Sequence, residues 1–110
     1  MQTFNPSSLS AESKLPWLEF LRTSSLSMGL YRLKAGQTDE RQPHAEDEDY
    51  FVISAKALFR AGNEEQLVMP GSVIFVERTI EHRFVDIFED LPVLVFFAPP
   101  EGTLKIGTAK

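Results

Sequence analysis

The sequence predicts an all-β fold, a sandwich or barrel of short antiparallel strands, and three observations carry that prediction. The organised segments are short and rich in β-branched and aromatic residues, turn residues separate them at close intervals, and no helical pattern of a dozen residues lies between them. A parallel α/β sheet would need such helices as crossovers, so antiparallel pairing is expected.

In chain order the expected strands are Trp17–Arg22, Leu26–Lys34, Tyr50–Ser54, Ala57–Arg60, Glu65–Met69, Val73–Val76, His82–Ile87 and Val93–Ala98. Ala35-Gly36, Gly62-Asn63, Pro70-Gly71, Glu89-Asp90 and Pro99-Pro100 read as the breaks between them. Lys56 to Met69 is the clearest hairpin, because Ala61-Gly62-Asn63 at its tip includes residues that tolerate positive φ. Residues 1–16 are expected to be a loosely attached extension forming a turn or an edge strand. Residues 101–110 are expected to be a loose tail. Pro43 followed by carboxylates is also an acceptable helix start, but Tyr50-Phe51-Val52-Ile53 immediately afterward favours extended chain.

At 110 residues the chain fits a single domain with one core. Nine Phe, one Trp and two Tyr within a 43% apolar composition predict an aromatic-rich interior and exclude a disordered chain. The formal charge of −5 opposes the phosphate backbone, so nucleic acid is not an expected partner. The opening MQTFNPSS has neither a charged n-region nor an apolar h-region, and Leu91 to Ala98 is far shorter than the roughly 20 residues that span a bilayer. No leader and no membrane partner are expected, and the default location is cytoplasmic. The absence of cysteine removes disulfides, thiolate metal sites and Cys nucleophiles together.

The two histidines lie in the two segments that look built for chemistry. His44 belongs to Gln42-Pro43-His44-Ala45-Glu46-Asp47-Glu48-Asp49-Tyr50-Phe51-Val52-Ile53, and His82 to the run from Pro70-Gly71 to Phe84. Residues 42, 44 and 48 share strand parity and would face one way. Four residues of straight strand span about 13 Å, however, too far for His44 and Glu48 to share an ion whose donors lie about 2.1 Å away. The chain must bend between them. The remaining acidic residues Glu46, Asp47 and Asp49 read as a solvated face without chemistry.

The first of these segments resembles the cupin motif G-x5-H-x-H-x3-E, with Gly36 where that pattern begins. The second is similar to the cupin motif P-G-x5-P-x-G-x2-H, with Pro70, Gly71 and His82 in register. The resemblance implies a double-stranded β-helix, a jelly-roll-like barrel, holding a metal on three His and one Glu. Carried across by position, it implies Gln42, His44, Glu48 and His82 as the ligand set, with an amide in place of the first imidazole. Ala55 stands where the first motif usually ends in Gly, Glu77 and Thr79 where the second has Pro and Gly, and Asp86 in place of a closing Asn.

Two imidazoles and one carboxylate suit a divalent Fe, Mn, Ni or Zn, and the residues do not choose among them. By parity Tyr50, Val52 and Phe84 either line the cavity below the ion or are ordinary core. The bland reading of His44 is a surface histidine in an acidic loop, and of His82 a histidine hydrogen-bonded to backbone at a strand end. The resemblance implies a metal-binding protein whose ion activates dioxygen or polarises a small organic substrate. A non-catalytic small-molecule binding or sensing module is the first alternative, and a metal-dependent isomerase or decarboxylase the second. Because cupins often pair through edge strands, a homodimer is expected, with Val93–Phe97 as a buried strand or interface element.

Overall fold

The structure, a computed structural model, describes residues 1–40 and 44–104. Its strands are β1 (Trp17–Arg22), β2 (Ser27–Leu33), β3 (Asp47–Val52), β4 (Ala57–Ala61), β5 (Glu64–Val68), β6 (Val73–Val76), β7 (His82–Ile87) and β8 (Leu91–Ala98). They form two antiparallel sheets, ordered β1-β2-β8-β3-β6 and β5-β4-β7. This is the all-β, double-stranded architecture expected from the strand rhythm. The hairpin β4–β5 closes through Gly62-Asn63, with Ala61 paired to Glu64 and Gly62 at φ +59°.

The inner faces follow a period of two. From the larger sheet Tyr31, Leu33, Tyr50, Val52, Val93, Val95 and Phe97 turn inward, and from the smaller one Ala57, Phe59, Val68, Phe84 and Ile87 meet them in one buried cluster. A register shift in the β4–β7 pairing, between Leu58 opposite Asp86 and Phe59 opposite Phe84, breaks the alternation at Val85. This bulge lets Phe84 and Ile87, three residues apart, both face the core.

Several expectations are corrected. The N-terminal stretch contains a helix, α1 (Pro6–Glu12), with the Asn5 side chain accepting from the backbone N–H of Ser7 and Ser8 and Pro6 in the first turn. Nor does this stretch hang free: the Arg32 guanidinium donates to the carbonyls of Ser10, Ser13 and Leu15. The tail is likewise tied down as far as residue 104. Glu101 N–H donates to Ser27 Oγ at 2.9 Å, Arg22 donates to the Glu101 carbonyl at 2.7 Å, and Leu104 N–H donates to Glu46 Oε2 at 2.8 Å. β3 begins three residues earlier than expected, because Asp47 and Glu48 already pair with Ala98 and Phe97 of β8. No helix forms over residues 44–52, which run through a bend into β3. Of the two readings of Val93–Phe97 the structure shows the buried strand: β8 is the middle strand of its sheet, paired on both sides by β2 and β3. Among the described residues no helix is long and apolar enough to cross a membrane.

Two backbone positions bear on the motifs. Ala55 and Thr79 stand where the cupin pattern has glycine, and among the described residues they are the non-glycine positions with positive φ, at +76° and +66°. The turns keep the left-handed conformation although the residue that adopts it without steric cost is gone.

Candidate functional site

Glu48 sits in the ladder of β3, between Val76 of β6 and Phe97 of β8. Strand alternation sends Asp47 and Asp49 outward and Glu48, Tyr50 and Val52 inward, which leaves the Glu48 carboxylate 1% exposed. Asp47 serves the neighbouring backbone instead. Its Oδ1 accepts from the Arg78 backbone N–H at 2.9 Å, and Thr79 N–H donates to the His44 carbonyl at 2.8 Å. The two motif segments are therefore laced together by backbone contacts beside the site.

His82 opens β7 on the opposite sheet. Its Nε2 lies 2.8 Å from Glu48 Oε1, and its Nδ1 lies 2.7 Å from the carbonyl oxygen of Ile80. A carbonyl only accepts, so Nδ1 carries a proton. Nε2 then faces a carboxyl oxygen, and the contact requires a proton between them, on the imidazolium or on the carboxyl, or a cation shared by both. Burial depresses the proton affinity of the ring, but the hydrogen bond and charge of Glu48, the Ile80 carbonyl and the charge of Asp39 more than reverse this and raise the pKa above the usual imidazole value. The second oxygen of Glu48, Oε2, is buried and has no hydrogen-bond partner among the described residues.

Aromatic rings close the pair off from water. Tyr50 and Phe59 lie 5.9 and 6.0 Å from the His82 ring, and Phe84 packs edge-on against both. Tyr50, Val52 and Phe84 are core residues, as strand parity allowed. Asp39, invisible as a functional residue in the sequence, is buried behind this group. Its Oδ1 accepts from the Tyr31 hydroxyl at 2.7 Å and its Oδ2 from the Phe84 backbone N–H at 3.0 Å.

His44 does not join the pair in a three-donor cluster. Among the described residues no group of three His, Asp or Glu side chains is placed to hold one ion. The imidazole lies edge-on over Phe97 at 4.7 Å, with Nε2 3.7 Å from Glu101 Oε2. Phe97 is also the cross-strand partner of Glu48, so His44 and Glu48 flank one ring. The bend at Ala45-Glu46 supplies the turn that the spacing demanded, and the Glu101 carboxylate from the tail lies near the imidazole. Gln42, the fourth expected ligand, lies outside the described residues. Glu46, expected on a solvated face, is 2% exposed and accepts the Leu104 N–H. The parity it shares with Glu48 was the signal that could have found it.

A divalent transition metal, which the cupin fold implies, finds two donors of suitable chemistry here. They are the buried Oε2 of Glu48, without a partner among the described residues, and an imidazole nitrogen whose tautomer is set by the Ile80 carbonyl.

The two sheets and their order give this chain the double-stranded β-helix fold seen in small cupins. The chain belongs to one family with an uncharacterised protein of Streptomyces coelicolor, SCO3923, to which it is 46% identical over 105 residues, covering 93% of this chain and all of that one. No protein-family model matches the chain. Among solved structures it is similar to an RmlC-like cupin of Methanocaldococcus jannaschii with a double-stranded β-helix fold, at a TM-score of 0.68 and 14% identity over 76% of this chain and 78% of that one. It is also similar to DMSP lyase DddQ of Ruegeria pomeroyi, at a TM-score of 0.65 and 22% identity, over 79% of this chain and 42% of that one.

Proposed function

We propose that this cupin binds a divalent transition metal at Glu48 and His82, with His44 and Gln42 as further donors, and acts there on a small organic molecule. The observation that carries this reading is the buried Oε2 of Glu48 beside His82, which has no partner among the described residues. A carboxylate taken out of water with an oxygen left over costs several kcal/mol, and a cation at that oxygen offsets the cost. Fe, Mn, Ni and Zn all accept this donor chemistry. Such an ion, when bound, supplies Lewis acidity toward a substrate oxygen or a site for dioxygen.

The chain's own contribution is orientation and exclusion. Ile80 fixes the His82 tautomer, the β3 ladder fixes Glu48, and Tyr50, Phe59 and Phe84 keep bulk water off the pair, which strengthens any charge interaction within it. A lyase on the same fold supports catalysis only by analogy of architecture.

The test is metal content after chelation, followed by thermal unfolding with each of the four ions. The expected result is a rise in Tm with at least one ion that disappears in Glu48→Gln. Metal-free protein whose Tm none of the ions moves would favour the second reading, a non-catalytic binding or sensing module. That reading draws on the proximity of His44 to Glu101, with no three-donor cluster among the described residues.

The proposal includes a homodimer joined along β6. Among the described residues that strand has a neighbour on one side only, and its Val73 and Phe75 are 71% and 60% exposed. A second copy pairing antiparallel there would satisfy both edges with one symmetric contact. Light scattering that shows monomer alone removes it.

A further inference from the structure

A cleft of about 810 Å³ lies where the segment following α1 crosses the end of β2 and the start of β8, with Leu15, Leu91 and Pro92 among its apolar walls. It is remote from the Glu48–His82 pair, neither of which lines it. Leu91 stands six residues along β8 from Phe97, the cross-strand partner of Glu48, so about 20 Å of strand separates the two places.

The charge of this cleft is positive in a chain whose formal charge is −5. Lys14, Arg32 and Lys34 line it, against the single carboxylate of Asp90 among the described lining residues. Asp90 is engaged with backbone, its Oδ1 accepting from the Ala35 N–H at 3.0 Å. Glu12 and Glu89, the acidic neighbours in sequence, are not in the lining. The Arg32 guanidinium donates to the carbonyls of Ser10, Ser13 and Leu15, which holds it in place but leaves its charge uncompensated and N–H donors to spare. None of the ion pairs among the described residues includes Lys14, Arg32 or Lys34.

Three cations gathered around one concavity raise the local concentration of anions there, and ammonium and guanidinium groups bind a carboxylate through charge-assisted hydrogen bonds. An inorganic anion would use only half of the cleft. Leu15 is 59% exposed against it, and an apolar group laid on that side chain removes both surfaces from water. We propose that this cleft binds a small organic carboxylate with an apolar body, its charged end held by Lys14, Arg32 and Lys34 and its body against Leu15 and Pro92.

The experiment is isothermal titration of the full chain after chelation, so that no metal supplies affinity, with phenylacetate, its neutral isostere phenylacetamide and inorganic phosphate as probes. Saturable phenylacetate binding roughly tenfold tighter than that of either other probe is expected. Lys14→Gln and Lys34→Gln, both at exposed positions, should each weaken phenylacetate several-fold and leave phenylacetamide unchanged. Leu15→Ser should weaken phenylacetate and phenylacetamide together, and an unchanged circular dichroism spectrum shows that the loss is local. Equal affinity for the acid and the amide, phosphate binding as tight as phenylacetate, no phenylacetate binding at millimolar concentration, or indifference to both lysine substitutions would each overturn the proposal. Failure of the metal titration with phenylacetate binding intact would sink the metal site alone.

Discussion

Glu48 and His82, 34 residues apart in sequence, meet at 2.8 Å across the interior, one from each sheet. The contact joins the two halves of the sandwich at a point where neither side chain can reach water. Removing one partner strands the other: in metal-free protein His82→Ala leaves the Glu48 carboxylate buried with both oxygens unserved. A loss of about 3 kcal/mol in urea unfolding is expected, and a loss below about 1 kcal/mol would show that the pair contributes little to the fold.

The same contact gives metal-free protein a pH dependence with a definite sign. Because the folded pKa of His82 is raised above 6.5, the imidazolium–carboxylate contribution is complete below that value and is lost as pH rises through the higher folded pKa. The melting temperature of chelated protein should fall over that window. His82→Gln should flatten the profile there, and an unchanged slope in the variant would assign the titration elsewhere.

Trp17 is the single tryptophan, so its fluorescence reports on the seat of its own ring against Gly29. Gly29→Ala places a methyl group 2.0 Å from the indole and must displace it. A red-shifted emission is expected, with about 1–3 kcal/mol of stability lost to overpacking. Wild-type emission and stability in Gly29→Ala would mean that the ring is not seated as described.

Thr79 holds φ at +66°, a conformation costly for a β-branched residue. Thr79→Gly relieves that strain, offset in part by the greater freedom of glycine in the unfolded chain. A net gain of about 0.5–1 kcal/mol is expected from chemical denaturation. A loss would show that the Thr79 hydroxyl, which donates to the Arg78 carbonyl at 2.6 Å, matters more than the backbone.

Much of this molecule was legible in its sequence because it depends on local patterning. Short β-branched and aromatic runs between turn residues placed β1, β6 and β7 at the bounds found in the structure, and the Gly62-Asn63 turn set the β4–β5 register. Parity alone sent Glu48, Tyr50 and Val52 inward and Asp47 outward, and the Pro70-Gly71 to His82 spacing picked out the imidazole that meets Glu48.

What the sequence could not decide was which side chains from distant segments reach the same point. Asp39 is buried because the Tyr31 hydroxyl and the Phe84 amide converge on it from two different sheets, and no spacing announces that. His44 fits the ligand pattern, yet a carboxylate from the tail, 57 residues on by number, lies 3.7 Å from it, and among the described residues no three-donor set forms. Local backbone preferences fix where strands begin and which way residues face. The partner of each buried charge is a long-range contact, and only the folded chain, with its two sheets closed on one another, selects it.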